Sequence, residues 1–130
     1  ESNFAKQIAM IEKGKQEPVI HVGNLTASRD YSDVRDMVKG YLAAVEKCDP
    51  GDVYNICSGM TIKIGDMLNL LLSFTKTKVK IQPDQSRMRP SDVPVLLGDN
   101  SKFVAKTGWK PEIPFKKTME DLLNYWRERV

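Results

Sequence analysis

The sequence predicts an α/β fold that is rich in helix and contains about three short strands. Stripes of apolar residues at helical spacing alternate with short apolar runs that are bounded by turn residues. Hydrophobic residues make up 41% of the chain and charged residues 28%, which is typical of folded domains. The 130 residues suffice for one domain or for a part of a larger one.

The first third of the chain is predicted to contain two helices and one strand. Phe4, Ile8 and Ile11 share one face of the first helix, and Gly14 ends it. Residues 18–22 form an apolar run that is typical of a strand. The second helix has the clearest periodicity, with apolar residues at i, i+3, i+4, i+7, i+8 and i+11. These residues are Val34, Met37, Val38, Tyr41, Leu42 and Val45.

The middle of the chain continues the alternation of strand and helix. Turn residues at 49–52 end the second helix, and the apolar run 53–57 is typical of a buried strand. A helical stripe over 64–72 follows, and then an alternating strand over 79–82. Residues 83–94 form a polar loop with three prolines, which is longer than a minimal connection. Loops of this kind often carry binding groups.

Two helices are predicted at the end of the chain. Residues 99–101 offer an N-cap for a short helix through Val104, and Gly108 offers its end. The last helix places its apolar residues on an inner face, while the charged residues 127–129 are expected to stay in solvent. The inner residues are Phe115, Met119, Leu122, Leu123 and Trp126.

Composition and charge exclude several classes of partner. Twenty Lys and Arg residues against seventeen Asp and Glu give a net charge of +3 that is spread along the chain, so we expect no nucleic-acid partner. No apolar run approaches the roughly 18 residues of a membrane-spanning helix, so we expect no membrane partner. Cys48 and Cys57 are expected to be small buried hydrophobes in a reducing, cytoplasmic setting. With the single His21 they cannot form a standard zinc cluster.

No pattern in the sequence predicts catalysis by the chain itself. It contains no glycine-rich dinucleotide fingerprint and no P-loop. No tyrosine is followed four residues later by lysine, which excludes the Tyr-x-x-x-Lys pair of short-chain dehydrogenases. A hydrolase triad would need His21, yet no Gly-x-Ser-x-Gly elbow is present. We therefore predict no catalytic residue and expect His21 to be structural, on the strand face opposite Ile20 and Val22.

Two segments with arginine are candidates for binding an anion. Arg29 lies before the second helix, where it could bind a phosphate bidentately or could pair with Asp30 or Asp33. Spacing leaves both open, and Asp33 or Asp36 could cap the helix. In the segment 87–92, arginine, proline and a carboxylate could hold a phosphate and a ribose hydroxyl, although spacing alone favours a solvated loop.

Four linked segments resemble the extended short-chain dehydrogenases that modify nucleotide sugars. Residues 29–36 resemble their Arg-Asp-aromatic-x-x-Val-x-Asp signature, and 54–68 resemble their Tyr-Asn-x-Gly-Ser-Gly…Ser-Ile-x-Glu-Leu segment. Residues 99–111 resemble their Asp-x-Ser-Lys…Leu-Gly-Trp-x-Pro element. Residues 2–9 and 89–94 are most similar to the members that act on GDP-sugars, the reductases first and the 4,6-dehydratases next.

The resemblance implies that residues 1–130 are the C-terminal, nucleotide-sugar-binding portion of an extended Rossmann-type dehydrogenase, which would be inactive alone. NADP and the catalytic Tyr and Lys would belong to an N-terminal portion that the chain lacks. The parent would be a homo-oligomer that transfers hydride from NADPH to the 4-keto group of GDP-4-dehydro-6-deoxy-D-mannose. The alternatives are 4,6-dehydration of GDP-mannose and a free-standing nucleotide-sugar-binding module.

By the same resemblance, five residues would bind the GDP-sugar. Arg29 and Arg89 would bind the diphosphate, Asp92 would bind ribose hydroxyls, and Lys6 and Gln7 would lie near the guanine. These roles are chemically consistent, because two guanidinium groups neutralise a pyrophosphate and a carboxylate accepts hydrogen bonds from a cis-diol.

Some positions depart from the family pattern. Cys57 stands where many relatives have Gly, and Lys63 stands where Ser usually caps the next helix, so Thr61 is the candidate cap. The resemblance also implies that the faces that would pack on the N-terminal portion are exposed in this chain. These faces are the run 53–56 and the apolar stripe of the helix over 34–45.

Overall fold

The computed structural model of the chain describes residues 1–88 and 93–130. This part of the chain is helix-rich with a few short strands, which confirms the predicted α/β class. The helices are α1 (Ser2–Glu12), α2 (Val34–Lys47), α3 (Ile64–Leu72), α4 (Ser101–Thr107) and α5 (Phe115–Arg127). The strands are β1 (Val19–Val22), β2 (Ser28–Asp30), β3 (Thr61–Lys63), β4 (Lys80–Pro83) and β5 (Val95–Leu96).

The strands form two small sheets. In the first sheet β1 and β4 pair in parallel, with Val22 opposite Pro83. In the second sheet β2 lies between β3, to which it is antiparallel, and β5, to which it is parallel. Because β1 and β4 end at the same edge, Gly23 and Asp84 lie together there, and the Asp84 amide donates to the Val22 carbonyl at 2.9 Å. Ligands of α/β proteins bind most often at such an edge.

The main core lies between α1, α3, α5 and β1. Full burial of one leucine or isoleucine side chain contributes about 1.5–3 kcal/mol, so this cluster dominates stability. Its most buried large side chains are Ile8, Ile20, Met67, Leu68, Leu71, Met119 and Leu123. Arg127, which was expected to stay in solvent, instead donates to both carboxylate oxygens of Glu12 at 2.6 and 2.7 Å. This part-buried ion pair joins α5 to α1.

The structure confirms the five predicted helices and the strands predicted at 18–22 and 79–82, within one or two residues at their ends. Gly108 ends α4 in the left-handed conformation, with φ 73°. The strand predicted at 53–57 is wrong, because these residues join no ladder among the residues that the structure describes. β2, β3 and β5 were not predicted, since two or three residues are too few for a periodic signal.

Two smaller expectations are also wrong. Cys48 and Cys57 are half-buried rather than buried. Thr61 lies in β3, and the N-terminus of α3 has no side-chain cap. Instead, the first amides of α3 donate to the backbone carbonyls of Leu25 and Ala27, both at 2.9 Å. A backbone segment therefore replaces the serine that usually caps this helix.

The apolar stripe of α2 is exposed as the resemblance implied, whereas the run 53–56 is exposed only in part. The apolar stripe of α2 points to solvent, with exposed fractions from 59% to 85% for Val34, Val38, Tyr41, Leu42 and Val45. Val53 is 77% exposed, whereas Ile56 is half-buried beside Gly40 of α2. The opposite side of α2 packs on the rest of the chain through Gly40 and the fully buried Asp36.

Candidate functional site

A cleft of about 490 Å³ opens at the edge where β1 and β4 end. Such a volume lies within the range of small-molecule sites. Several of its lining residues are apolar, among them Leu25, Ile64 and Met67. Two guanidinium groups line it, those of Arg29 and Arg87. The cleft therefore combines apolar side chains with two guanidinium groups, and Glu1 adds an acidic residue to its lining.

Arg29 is placed by the middle strand of the second sheet. It pairs with Ile62 of β3 on one side and with Leu96 of β5 on the other. Its Nη1 atom donates to the backbone carbonyls of Ser28 at 2.8 Å and Val93 at 2.7 Å. These bonds fix the orientation of a planar group that binds phosphate well.

The acidic residues beside Arg29 hold the scaffold. The Asp30 carboxylate accepts hydrogen bonds from the amides of Ser58 and Gly59, both at 2.9 Å, and from the Ser58 hydroxyl at 2.6 Å. Asp33 caps α2, as one of the two predicted candidates, by accepting from the Arg35 amide at 2.8 Å. The Asp30 carboxylate thus holds the turn at 58–59, and the Asp33 carboxylate holds the N-terminus of α2.

Asp36, the third acid of this segment, is also structural. Its Oδ2 atom accepts from the amides of Glu112 at 3.0 Å and Ile113 at 2.9 Å, just before α5. The indole nitrogen of Trp109 donates to the Asp36 carbonyl at 3.0 Å. In the segment 29–36, Arg29 and Tyr31 therefore line the cleft. The three aspartates bond instead to the turn at 58–59, to the N-terminus of α2 and to the segment before α5.

Burial and charge shift two pKa values next to this cleft. The guanidinium of Arg35 binds the Asp33 carboxylate through Nε at 2.9 Å and Nη2 at 2.8 Å, and this contact holds the pKa of Asp33 far below its usual range. The Thr118 hydroxyl also donates to Asp33, at 2.7 Å. Burial raises the pKa of the Tyr31 phenol, so the phenol keeps its proton at neutral pH.

A second cleft, of about 480 Å³, lies beside α1 and β1. Lys6 and Gln7 line it as a pair, apart from the Arg29 cleft. The Lys6 ammonium lies 5.2 Å from the centroid of the Trp126 ring, a cation–π distance. The Gln7 side chain accepts from Gln16 at 3.1 Å and donates to Asn3 at 2.6 Å, so its amide is held in place. His21 lies opposite the buried Ile20 and Val22, as predicted, but it also lines this cleft.

Arg87 lines both clefts, and the sequence predicted no individual role for it. It was named only as part of the segment 87–92, and no periodic pattern distinguishes it there. The sequence feature that points to Arg87 is its i, i+3 spacing from Asp84, because this pair closes a short turn after β4. Two expected ligands lie outside the residues that the structure describes: Arg89 for the diphosphate and Asp92 for the ribose.

The described residues do not fit NADP as a complete site. A dinucleotide pyrophosphate is usually bound by a glycine-rich turn between a strand and the N-terminus of a helix. Between β2 and α2 the chain instead has Tyr31, Ser32 and Asp33, and the Asp33 carboxylate already occupies the helix N-terminus. No metal-ligating cluster and no helix able to span a membrane occur within residues 1–88 and 93–130.

Comparisons with known proteins point to one family. Residues 1–122 match the family model described as GDP-mannose 4,6 dehydratase. The chain is 36% identical over 129 residues to the GDP-6-deoxy-D-mannose reductase of Pseudomonas aeruginosa, covering 99% of the chain and 42% of that protein. It is 30% identical to the GDP-mannose 4,6 dehydratase 2 of Arabidopsis thaliana, covering 98% of the chain and 35% of that protein.

Solved structures also match nearly the whole chain. RMD from Pseudomonas aeruginosa, complexed with NADPH, matches 99% of the chain with a TM-score of 0.93 and 34% identity, over 42% of its own length. A UDP-glucose 4-epimerase of Thermotoga maritima, solved with UDP-glucose, matches 97% of the chain with a TM-score of 0.78 and 26% identity. The match covers 38% of that epimerase. The chain spans less than half the length of these relatives.

Proposed function

The chain belongs to the GDP-mannose 4,6 dehydratase family, and on this premise we propose that it is the nucleotide-sugar-binding portion of a longer oxidoreductase that acts on GDP-sugars. The observation that carries the proposal is the placement of Arg29. Its guanidinium donates to two backbone carbonyls, which orient it, and it lines a cleft that is also lined by apolar side chains. A diphosphate is the anion that such a group binds best.

The second cleft supports a guanine as the base. Guanine presents acceptors and donors on its edge, and a primary amide and an ammonium can complement them. Lys6 and Gln7 line this cleft from neighbouring positions of α1. The Gln7 amide accepts from Gln16 at 3.1 Å and donates to Asn3 at 2.6 Å, so it would meet a base in a fixed orientation. Arg89 and Asp92 stay predictions for the diphosphate and the ribose.

The cofactor of the proposed parent is NADP, bound outside this chain. The relative RMD is complexed with NADPH, and the described residues of this chain form no dinucleotide cradle of their own. NADPH would supply the hydride, and this chain would bind and orient the sugar nucleotide. The chain alone is then inactive. A homo-oligomeric parent and a cytoplasmic location also stay predictions.

Reduction of GDP-4-dehydro-6-deoxy-D-mannose is the specific reaction that we propose. The identity of 36% to a reductase, against 30% to a dehydratase, supports it. The 4,6-dehydration of GDP-mannose is the second candidate, because the family model that matches residues 1–122 carries that description. A reductase consumes one NADPH per 4-keto sugar, whereas a dehydratase converts GDP-mannose without net oxidation of the cofactor. Product analysis and NADPH absorbance of the full-length protein separate the two.

Calorimetric titration of the chain tests the binding function directly. We expect GDP and GDP-mannose to bind and UDP to bind more weakly. Arg29→Ala should weaken GDP binding about tenfold to a hundredfold, because a charge-assisted hydrogen bond contributes about 1.5–3 kcal/mol. Arg129→Ala is the matched control, since Arg129 packs on the Tyr125 ring and lines neither cleft. Absence of nucleotide binding by the folded chain would contradict the proposal.

A further inference from the structure

Arg87 stands at the junction of the two clefts. It lines the first with Arg29 and Tyr31, and it lines the second with Lys6 and Gln7. The two clefts measure about 490 and 480 Å³, and Arg87 is the described residue that appears in the lining of both. A ligand that reaches from one cleft into the other must therefore pass Arg87.

The turn after β4 fixes how Arg87 is presented. The Asp84 carboxylate accepts from the Ser86 amide at 2.9 Å and from its hydroxyl at 2.7 Å, and the Arg87 amide donates to the Asp84 carbonyl at 3.1 Å. The Nε atom of Arg87 lies 3.4 Å from the Asp84 carboxylate. One edge of the guanidinium is thus held by Asp84, and its Nη1 and Nη2 atoms make no hydrogen bond to the described residues.

Gly23 allows this turn to lie close to the end of β1. A Cβ atom at position 23 would overlap the carbonyl oxygen of Arg87. Any larger residue there would push the Arg87 backbone away from the edge at which both clefts open. The short distance between these two segments is what places Arg87 between Arg29 on one side and Lys6 on the other.

We propose that Arg87 binds the diphosphate of a single nucleotide sugar that lies across both clefts, with its sugar in the Arg29 cleft and its base in the Lys6 cleft. This assignment rests on the proposed function, and it adds a binding residue to it. The open edge of the guanidinium offers two parallel N–H donors, which is the geometry that pairs with phosphate oxygens. Arg87 and Arg29 together then neutralise the two negative charges of the diphosphate, one from each side.

The test compares GDP with guanosine, which lacks the phosphates. Each is titrated by calorimetry, or by NMR where binding is weak, into the wild-type chain and the Arg87→Ala variant. We expect Arg87→Ala to raise the Kd for GDP about tenfold or more and to leave guanosine binding unchanged, because only the phosphates contact Arg87. Arg87→Lys should recover part of the loss, since it keeps the charge but not the two parallel donors.

Gly23→Ala provides an independent variant that keeps the Arg87 side chain. The added methyl group should displace the Arg87 backbone and weaken GDP binding more than guanosine binding, a split that a general loss of folding would not produce. Arg129→Ala should leave both affinities unchanged. GDP binding that is unaffected by Arg87→Ala would overturn this inference alone. If the folded wild-type chain binds no GDP, both this inference and the proposed function are overturned.

Discussion

The last helix, α5, and the second helix, α2, carry similar apolar periodicities but use them in opposite ways. α5 turns its apolar residues inward, with Met119 2% and Leu123 0% exposed. α2 turns its stripe outward, with Val45 85% exposed, and instead buries Asp36 completely and Gly40 against Trp109 and Ile56. Apolar spacing therefore predicts a helix and its apolar face, but it does not predict that the partner of that face lies in the same chain.

Directional bonds hold the buried side of α2, in addition to the contact of Gly40 with Trp109 and Ile56. The Asp36 carboxylate and carbonyl accept from the amides of Glu112 and Ile113 and from the Trp109 indole. At the other end of the helix, the Lys47 ammonium donates to the Thr107 carbonyl at 2.9 Å. The polar side of α2 thus fixes its position, and the apolar stripe stays free for the portion of a longer protein that we predict to cover it.

The largest expected effect comes from a matched pair of leucine substitutions. Leu123→Ala should destabilise the chain by about 2–5 kcal/mol, because it opens a cavity in a fully packed core. Leu42→Ala on α2 should change the free energy of unfolding by less than about 0.5 kcal/mol, since Leu42 is 60% exposed. Urea unfolding followed by circular dichroism measures both, and equal losses would contradict the difference between the helices.

The next largest effect tests the polar anchor of α2. Asp36→Ala should cost about 2–3 kcal/mol, because it leaves two backbone amides without their acceptor. Asp66→Ala, at an exposed position in the first turn of α3, is the control and should cost much less. Thermal unfolding compares the two variants. Equal stability of Asp36→Ala and the wild-type chain would mean that α2 is not held by this carboxylate.

A pH series tests the cap of α2. The pKa of Asp33 lies far below its usual range because Arg35 binds the carboxylate, so Asp33 stabilises the fold fully above the unfolded pKa. This stabilisation is lost as the pH falls below about 4 toward the folded pKa. The difference in unfolding free energy between wild type and Asp33→Asn should therefore be largest at pH 7 and shrink by pH 3. The other titrating acids are present in both proteins, so their contributions cancel in this difference of unfolding free energies. A difference that grows at low pH would refute the role of the Asp33 carboxylate.

The smallest effect on stability is expected on the α2 stripe itself. Val38→Thr combined with Leu42→Gln should leave the unfolding midpoint almost unchanged, because both side chains are about 60% exposed. The same change should reduce self-association of the isolated chain, since it removes apolar surface from the exposed patch. Sedimentation velocity over a range of concentrations measures this. If the wild-type chain self-associates and the double variant gives the same sedimentation profile, the contact between copies does not involve the α2 stripe.

The sequence was sufficient to predict the helices, because each spans two or more turns of a periodic pattern. It could not predict β2, β3 and β5, whose two or three residues are strands only through their neighbours. It left open whether Arg29 binds an anion or pairs with Asp30 or Asp33, and it could not predict that Asp30 accepts a hydrogen bond from Ser58, 28 residues away. It placed Arg87 in a candidate anion-binding segment but assigned it no role, since its position between two clefts depends on how the end of β1 meets the turn after β4.

The most direct test of the account is to map GDP binding on the chain by NMR. In a titration of the ¹⁵N-labelled chain, we expect chemical-shift changes at residues around the two clefts, including Arg29, Arg87 and Lys6, and none along the exposed stripe of α2. UDP at the same concentrations should produce smaller changes around the Lys6 cleft. Shifts that concentrate on α2, or a folded chain whose spectrum GDP does not change, would contradict the assignment of this chain as a GDP-sugar-binding portion.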